Sequence, residues 1–132
     1  MKIKKRVLCS ERVRRVPAQF SWIDQLLVRE PSYLRRCELG ALALYLILVT
    51  VCDAEGLSYY SDPTLERLLR LERAQLLAAR QQLCQAGLIV YERPLYQVLS
   101  LEHAPAEAVA TPRSGQSRSA REILQQILGG QP

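Results

Sequence analysis

The sequence contains a single histidine among 132 residues and offers little to set beside it. His103 stands at the edge of a low-complexity stretch, with no serine or cysteine at a spacing that nucleophilic catalysis uses. There is no phosphate-cradling glycine loop, no carboxylate pair on a rigid, apolar-backed segment, and no set of metal ligands. Neither an enzyme nor a cofactor is expected. The four cysteines (Cys9, Cys37, Cys52 and Cys84) are widely spaced and form no C-x-x-C pair. That excludes a disulfide framework and points to reduced thiols acting as small apolar residues in a cytosolic protein. The longest uncharged apolar run, Leu39 to Val49, falls far short of the ~20 residues a membrane span needs. The basic start leads through Val7-Leu8-Cys9 into more charge, so no signal peptide is expected. No internal repeat occurs. The expectation is a soluble, cytoplasmic protein with no membrane association.

What is present begins with a hydrophobic content of 48%, enough for a real core. The length allows one compact domain with arms. The net charge of +5 is unevenly placed. Residues 1–15 carry seven Lys/Arg against Glu11, giving +6; residues 16–101 carry eight basic and nine acidic side chains; residues 102–132 balance. The division this suggests is a basic arm over 1–16, a folded body over 17–101, a linker over 102–118 and a short amphipathic helix over 119–130. Basic arms follow phosphate backbones, and they also serve as solubilising tails.

Beyond Pro17, the segment "FSWIDQLLV" brings Phe20, Trp22, Ile23, Leu26 and Leu27 to pack one face, and Pro31-Ser32 punctuates it, with Ser32 as a cap. From Glu38 to Asp53, "ELGALALYLILVTVCD" predicts a helix apolar on nearly all faces, hence central or shared with a partner chain. Gly56 suits a left-handed turn after it. "LSYYS" is β-like. In "SDPTLERLLR", Asp62 is expected to cap a helix with Pro63 at its first position. A second helix runs from about Glu72 to Ala86, with Leu76, Ala79 and Leu83 facing inward, and Gly87 stops it. Two β-rich pieces follow, joined near Pro94, which cannot donate to a ladder and belongs at a hairpin tip. The C-terminal "SAREILQQILGG" carries a capping box, Ser119 with Glu122, and a stripe of Ile123, Leu124, Ile127 and Leu128.

Long helix, short strand, capped helix, turn, second helix and two strands is the order of a winged helix-turn-helix, so the expected fold is mainly α with a small β-hairpin. From Leu39 to Tyr91, about 40% of the chain, the sequence resembles the winged-helix domains of bacterial replication-initiation and primosome proteins and their small mobile-element relatives. It is similar, more distantly, to the multiple-antibiotic-resistance type of repressor. In such domains a run like "LCQAGLI" marks the exit of the recognition helix into the wing. The resemblance implies that the helix from Glu72 presents Arg73, Gln75, Arg80, Gln81 and Gln82 to double-stranded DNA, with Arg93 at the wing tip. It also places Tyr60 and its neighbours ahead of the first helix of the pair, where phosphate contacts are common. Lys4, Lys5, Arg6, Arg12, Arg14 and Arg15 of the arm would add phosphate contacts. The implied role is transcriptional regulation or replication of a bacterial or mobile-element locus.

Departures from that pattern support an alternative. Arg70 stands where a turn glycine is common, so a helical turn is expected there. Glu72 replaces a phosphate-contacting Ser or Thr, and Leu77 and Ala78 lie on the face that should be polar. These features suit a winged-helix adaptor or a small subunit of a nucleoprotein assembly. Such a protein would hold partners through Leu77, Ala78 and the C-terminal stripe, whereas the DNA-binding protein is expected to dimerise through the apolar helix and the 20–37 segment. The tyrosines at 33, 45, 59, 60, 91 and 96 are read as core or sheet-face residues with a wet hydroxyl, with base stacking by Tyr59 or Tyr60 as the other use.

Overall fold

The computed structural model describes residues 2–101. Met1, the expected linker and the C-terminal segment with Ile123, Leu124, Ile127 and Leu128 lie outside the described residues. The chain is mainly helical, with one small antiparallel sheet. Two short helices, α1 (Leu26–Arg29) and α2 (Ser32–Arg35), precede the long α3 (Leu39–Val51). Strand β1 (Leu57–Ser58) leads to α4 (Asp62–Leu69) and α5 (Arg73–Gln85), and the chain closes on β2 (Ile89–Glu92) and β3 (Leu95–Val98). The sheet order is β1-β3-β2, so the expected hairpin is completed by a third strand.

Helix α3 forms because thirteen residues pass without proline or charge, and its burial rather than its propensity holds it in place. Ala41, Leu44, Tyr45, Leu48 and Val49 are buried against α5 and the sheet. Each fully buried leucine contributes about 1.5–3 kcal/mol relative to exposure. Burial, with the nearby Asp24 carboxylate second, pushes the Tyr45 hydroxyl up to about 12. The opposite side of α3 is not covered: Leu39 and Leu46 are exposed. Nor do all the apolar residues before it pack. Leu26 and Leu27 lean on the core, but Phe20, Trp22 and Ile23 are exposed, contrary to expectation. The cysteines are all free, and Cys9 and Cys84 are exposed rather than in the core.

Three turns set the geometry. After α3, Gly56 has φ +87 and its carbonyl accepts from Val98 N at 2.8 Å, joining the turn to β3. A Cβ built there would lie 2.5 Å from the Val98 carbonyl oxygen. Gly56→Ala therefore combines a left-handed penalty of ~1–2 kcal/mol with a backbone clash. The expected loss is roughly 2–3 kcal/mol in urea unfolding of the full chain; a loss under ~0.5 kcal/mol would show that the turn shifts freely. Before α4, Ser61 rather than Asp62 is the cap, its hydroxyl accepting from Thr64 N at 3.3 Å, and Pro63 moves one place into the helix. Between α4 and α5, Arg70 adopts φ 58 and ψ 42, so the turn is left-handed and not the helical one expected. Ser32, similarly, lies inside α2, with its hydroxyl on Glu30.

Candidate nucleic-acid interface

Helix α5 begins with a capping box. The Glu72 carboxylate takes the backbone N–H of Gln75, and the Gln75 side-chain oxygen takes the Glu72 N–H at 2.8 Å. Glu72, which departs from the expected DNA-contact pattern, and Gln75, an expected contact, thus share a local structural use, and the Gln75 amide NH2 remains open to another contact. Leu76, Ala79, Arg80 and Leu83 form the buried face. Ala74, Leu77, Ala78, Gln81 and Gln85 are exposed.

Arg80 is the principal correction to the expected contact set. It is 8% exposed and faces the sheet. Its Nε donates to the Tyr96 hydroxyl at 3.1 Å and its Nη2 to Asp62 Oδ1 at 2.6 Å. The guanidinium carbon lies 4.2 Å from the Tyr91 ring centroid, and Tyr91 and Tyr96 are paired across β2 and β3 with rings 4.6 Å apart. A planar cation with fork-like donors satisfies all three neighbours at once. Burial raises the Tyr96 hydroxyl above its ordinary range, against the pull of the guanidinium. Arg80 therefore links α5, the start of α4 and the sheet, and it is not available to a groove of DNA. Gln82 is also engaged inward: its side-chain oxygen accepts from Glu38 N at 2.8 Å and fixes the start of α3.

The remaining cations of this region lie around an open groove of about 580 Å³ between the start of α4 and the β2–β3 turn. Arg73 lines it and pairs through Nε with Glu66 of α4. That pairing is the largest reason the Arg73 guanidinium is held above its ordinary range. Arg93, at the hairpin turn with Pro94, is exposed and also lines the groove. Tyr60 borders it while leaning on the core, and Tyr59, read from sequence as a core or sheet residue, is 69% exposed there. Gln81 is on the outer face of α5, with Leu77 and Ala78.

The arm is exposed throughout, with a single 3-10 turn at Ser10–Arg12. Lys4, Lys5, Arg6, Arg12, Arg14 and Arg15 have no carboxylate partner, since the ion pairs among the described residues are Arg73–Glu66 and Arg80–Asp62. Among the described residues no group of three His, Cys, Asp or Glu side chains converges to hold a metal, and no helix is long and apolar enough to cross a membrane. No protein-family model matches the chain, and neither a curated protein nor a solved structure does.

Proposed function

We propose that the chain is a winged helix-turn-helix protein that binds double-stranded DNA, with the arm and the edge of the groove supplying phosphate contacts. Regulation or replication of a bacterial or mobile-element locus is the process this reading implies. One observation carries it: the excess positive charge is gathered on an exposed arm whose cations have no carboxylate partner. Unpaired cations of that density bind phosphates by releasing counterions, which needs no particular base sequence. Base reading plays a smaller part. With Arg80 turned inward, Arg73 is the one cation on α5, while Ala74, Ala78 and Leu77 suit apolar contact with thymine methyls and Gln81 suits an adenine edge. The full chain titrated into a labelled duplex should show log affinity falling with log salt at a slope on the order of −4 to −6. Arg73→Ala should weaken a preferred site roughly tenfold and lessen the preference. No duplex binding at ~50 mM salt would end this reading.

A second reading, a protein-binding adaptor, is favoured by one feature. Large apolar side chains are exposed at Phe20, Trp22, Ile23 and Leu46, and Leu77 is exposed on α5. A second copy of the chain meeting the α3 and 20–37 surface would cover most of them. Sedimentation at micromolar concentration should then give a dimer that Leu46→Glu dissociates; a monomer for both proteins would exclude a second copy as the partner at this surface.

A further inference from the structure

Contact with a duplex leaves the groove beside α4 unexplained, because paired and stacked bases present no free ring face to a recess. Its volume of about 580 Å³ lies within the ~300–1,000 Å³ of small-ligand sites. Its chemistry is aromatic and cationic. Tyr59 exposes most of its ring, and neither its hydroxyl nor that of Tyr60 has a hydrogen-bond partner. Arg93 has no carboxylate partner, and Arg73 uses only Nε on Glu66, which leaves both its Nη groups as donors. The two carboxylates that act on Arg73 are already engaged, Asp62 by Arg80 and Glu66 by Arg73 itself. A flat π-face next to open guanidinium donors matches a ligand with a planar ring and a phosphate one sugar away.

We propose that this groove holds one unstacked nucleotide, its base against Tyr59 and its phosphate on Arg93 and the Nη groups of Arg73. The site does not depend on duplex binding. Stacking on a tyrosine tolerates every base, so little sequence preference is expected. Asp62 and Tyr91 fix the walls through Arg80, so the groove exists before the ligand arrives. The nucleotide has two possible sources, a free mononucleotide or an unpaired residue within a DNA strand, and they are separable.

The test uses the full chain and three probes: a labelled oligothymidylate, a blunt labelled duplex, and unlabelled thymidine monophosphate. Binding is read by anisotropy at a salt concentration high enough to screen the arm. Tyr59→Ala should weaken the oligothymidylate about tenfold more than the duplex, and Tyr59→Phe should restore it. Displacement of the oligothymidylate by the monophosphate would assign the free nucleotide; Tyr59-dependent strand binding without displacement would assign the strand. Equal losses for strand and duplex, or full strand affinity in Tyr59→Ala, would overturn the site. Absence of duplex binding at ~50 mM salt, with the Tyr59-dependent strand signal intact, would remove the duplex reading and leave this one standing. Thermal melting checks that the exposed Tyr59 variants fold.

Discussion

Arg80→Met should destabilise the domain by about 3 kcal/mol, lowering its melting temperature by roughly 10–20 °C. The side chain it replaces is 8% exposed and satisfies two groups at once. Methionine fills a similar length of apolar stem, so the loss is in the head group. The Tyr96 hydroxyl, fully buried, loses its donor, which costs about 1–3 kcal/mol. The Asp62 carboxylate loses a 2.6 Å partner. Removing one member of a fully buried pair costs ~3–5 kcal/mol, but the Asp62 side chain keeps 25% of its surface in water, and the penalty falls accordingly. The Tyr91 ring also loses the cation above it. Tyr96→Phe, which removes a single bond, should cost only about 1 kcal/mol. The double variant Arg80→Met with Asp62→Asn should cost less than the two single losses together, because they share one interaction. Urea unfolding at neutral pH measures all four. A loss within ~0.5 kcal/mol for Arg80→Met would mean that the guanidinium leaves the sheet readily and is available to a ligand.

That residue also shows where the sequence could be read and where it could not. Leu76, Ala79 and Leu83 are spaced as a buried stripe, and Arg80 lies four residues after Leu76 and three before Leu83, on the same stripe. The same period therefore admits Arg80 to the inward stripe, although the resemblance set it toward DNA. Its charge argued for the surface, and the partners that bury it lie 18 residues before it and 16 after it, beyond any local pattern. The same period correctly leaves Leu77 and Ala78 outside. Local signals worked where a single backbone requirement decided the matter: Gly56 and Gly87 both take positive φ, and the Arg93-Pro94 pair lies between β2 and β3. They failed where two adjacent residues competed. Ser61 and Asp62 are both good caps, and the choice moved the helix start by one residue. At Arg70 the chain accepts a left-handed arginine, a conformation that composition does not announce. The exposure of Phe20 and Trp22 was illegible because "FSWIDQLLV" has no period that sets one face against another.

Deleting residues 1–15 should weaken duplex binding on the order of 100-fold at ~50 mM salt, for every sequence alike. The segment carries seven Lys/Arg against Glu11, whereas the body from 16 to 101 is one charge negative. If most of those cations sit near phosphates, each contributes about −0.9 to the slope of log affinity against log salt. The truncated chain should therefore show a slope shallower by roughly 3–5, and the two affinities should converge as salt rises and screens the arm. Stability is the control. Every described side chain from 2 to 20 is exposed, and the hydrogen bonds recorded in the arm, Arg12 N to Cys9 O and Cys9 Sγ to Glu11, are local to it. The truncated chain should thus melt within a degree or two of the full chain, so any lost binding cannot be ascribed to unfolding. Arg73→Ala made in the truncated chain then reads the body alone: a further tenfold loss on a preferred site assigns base contact to α5. If deletion leaves affinity and slope unchanged, the arm is a solubilising tail. The near-neutral body would then have to supply the phosphate contacts from Arg73, Arg93 and the arginines of the α1–α2 segment, which places duplex binding behind protein contact.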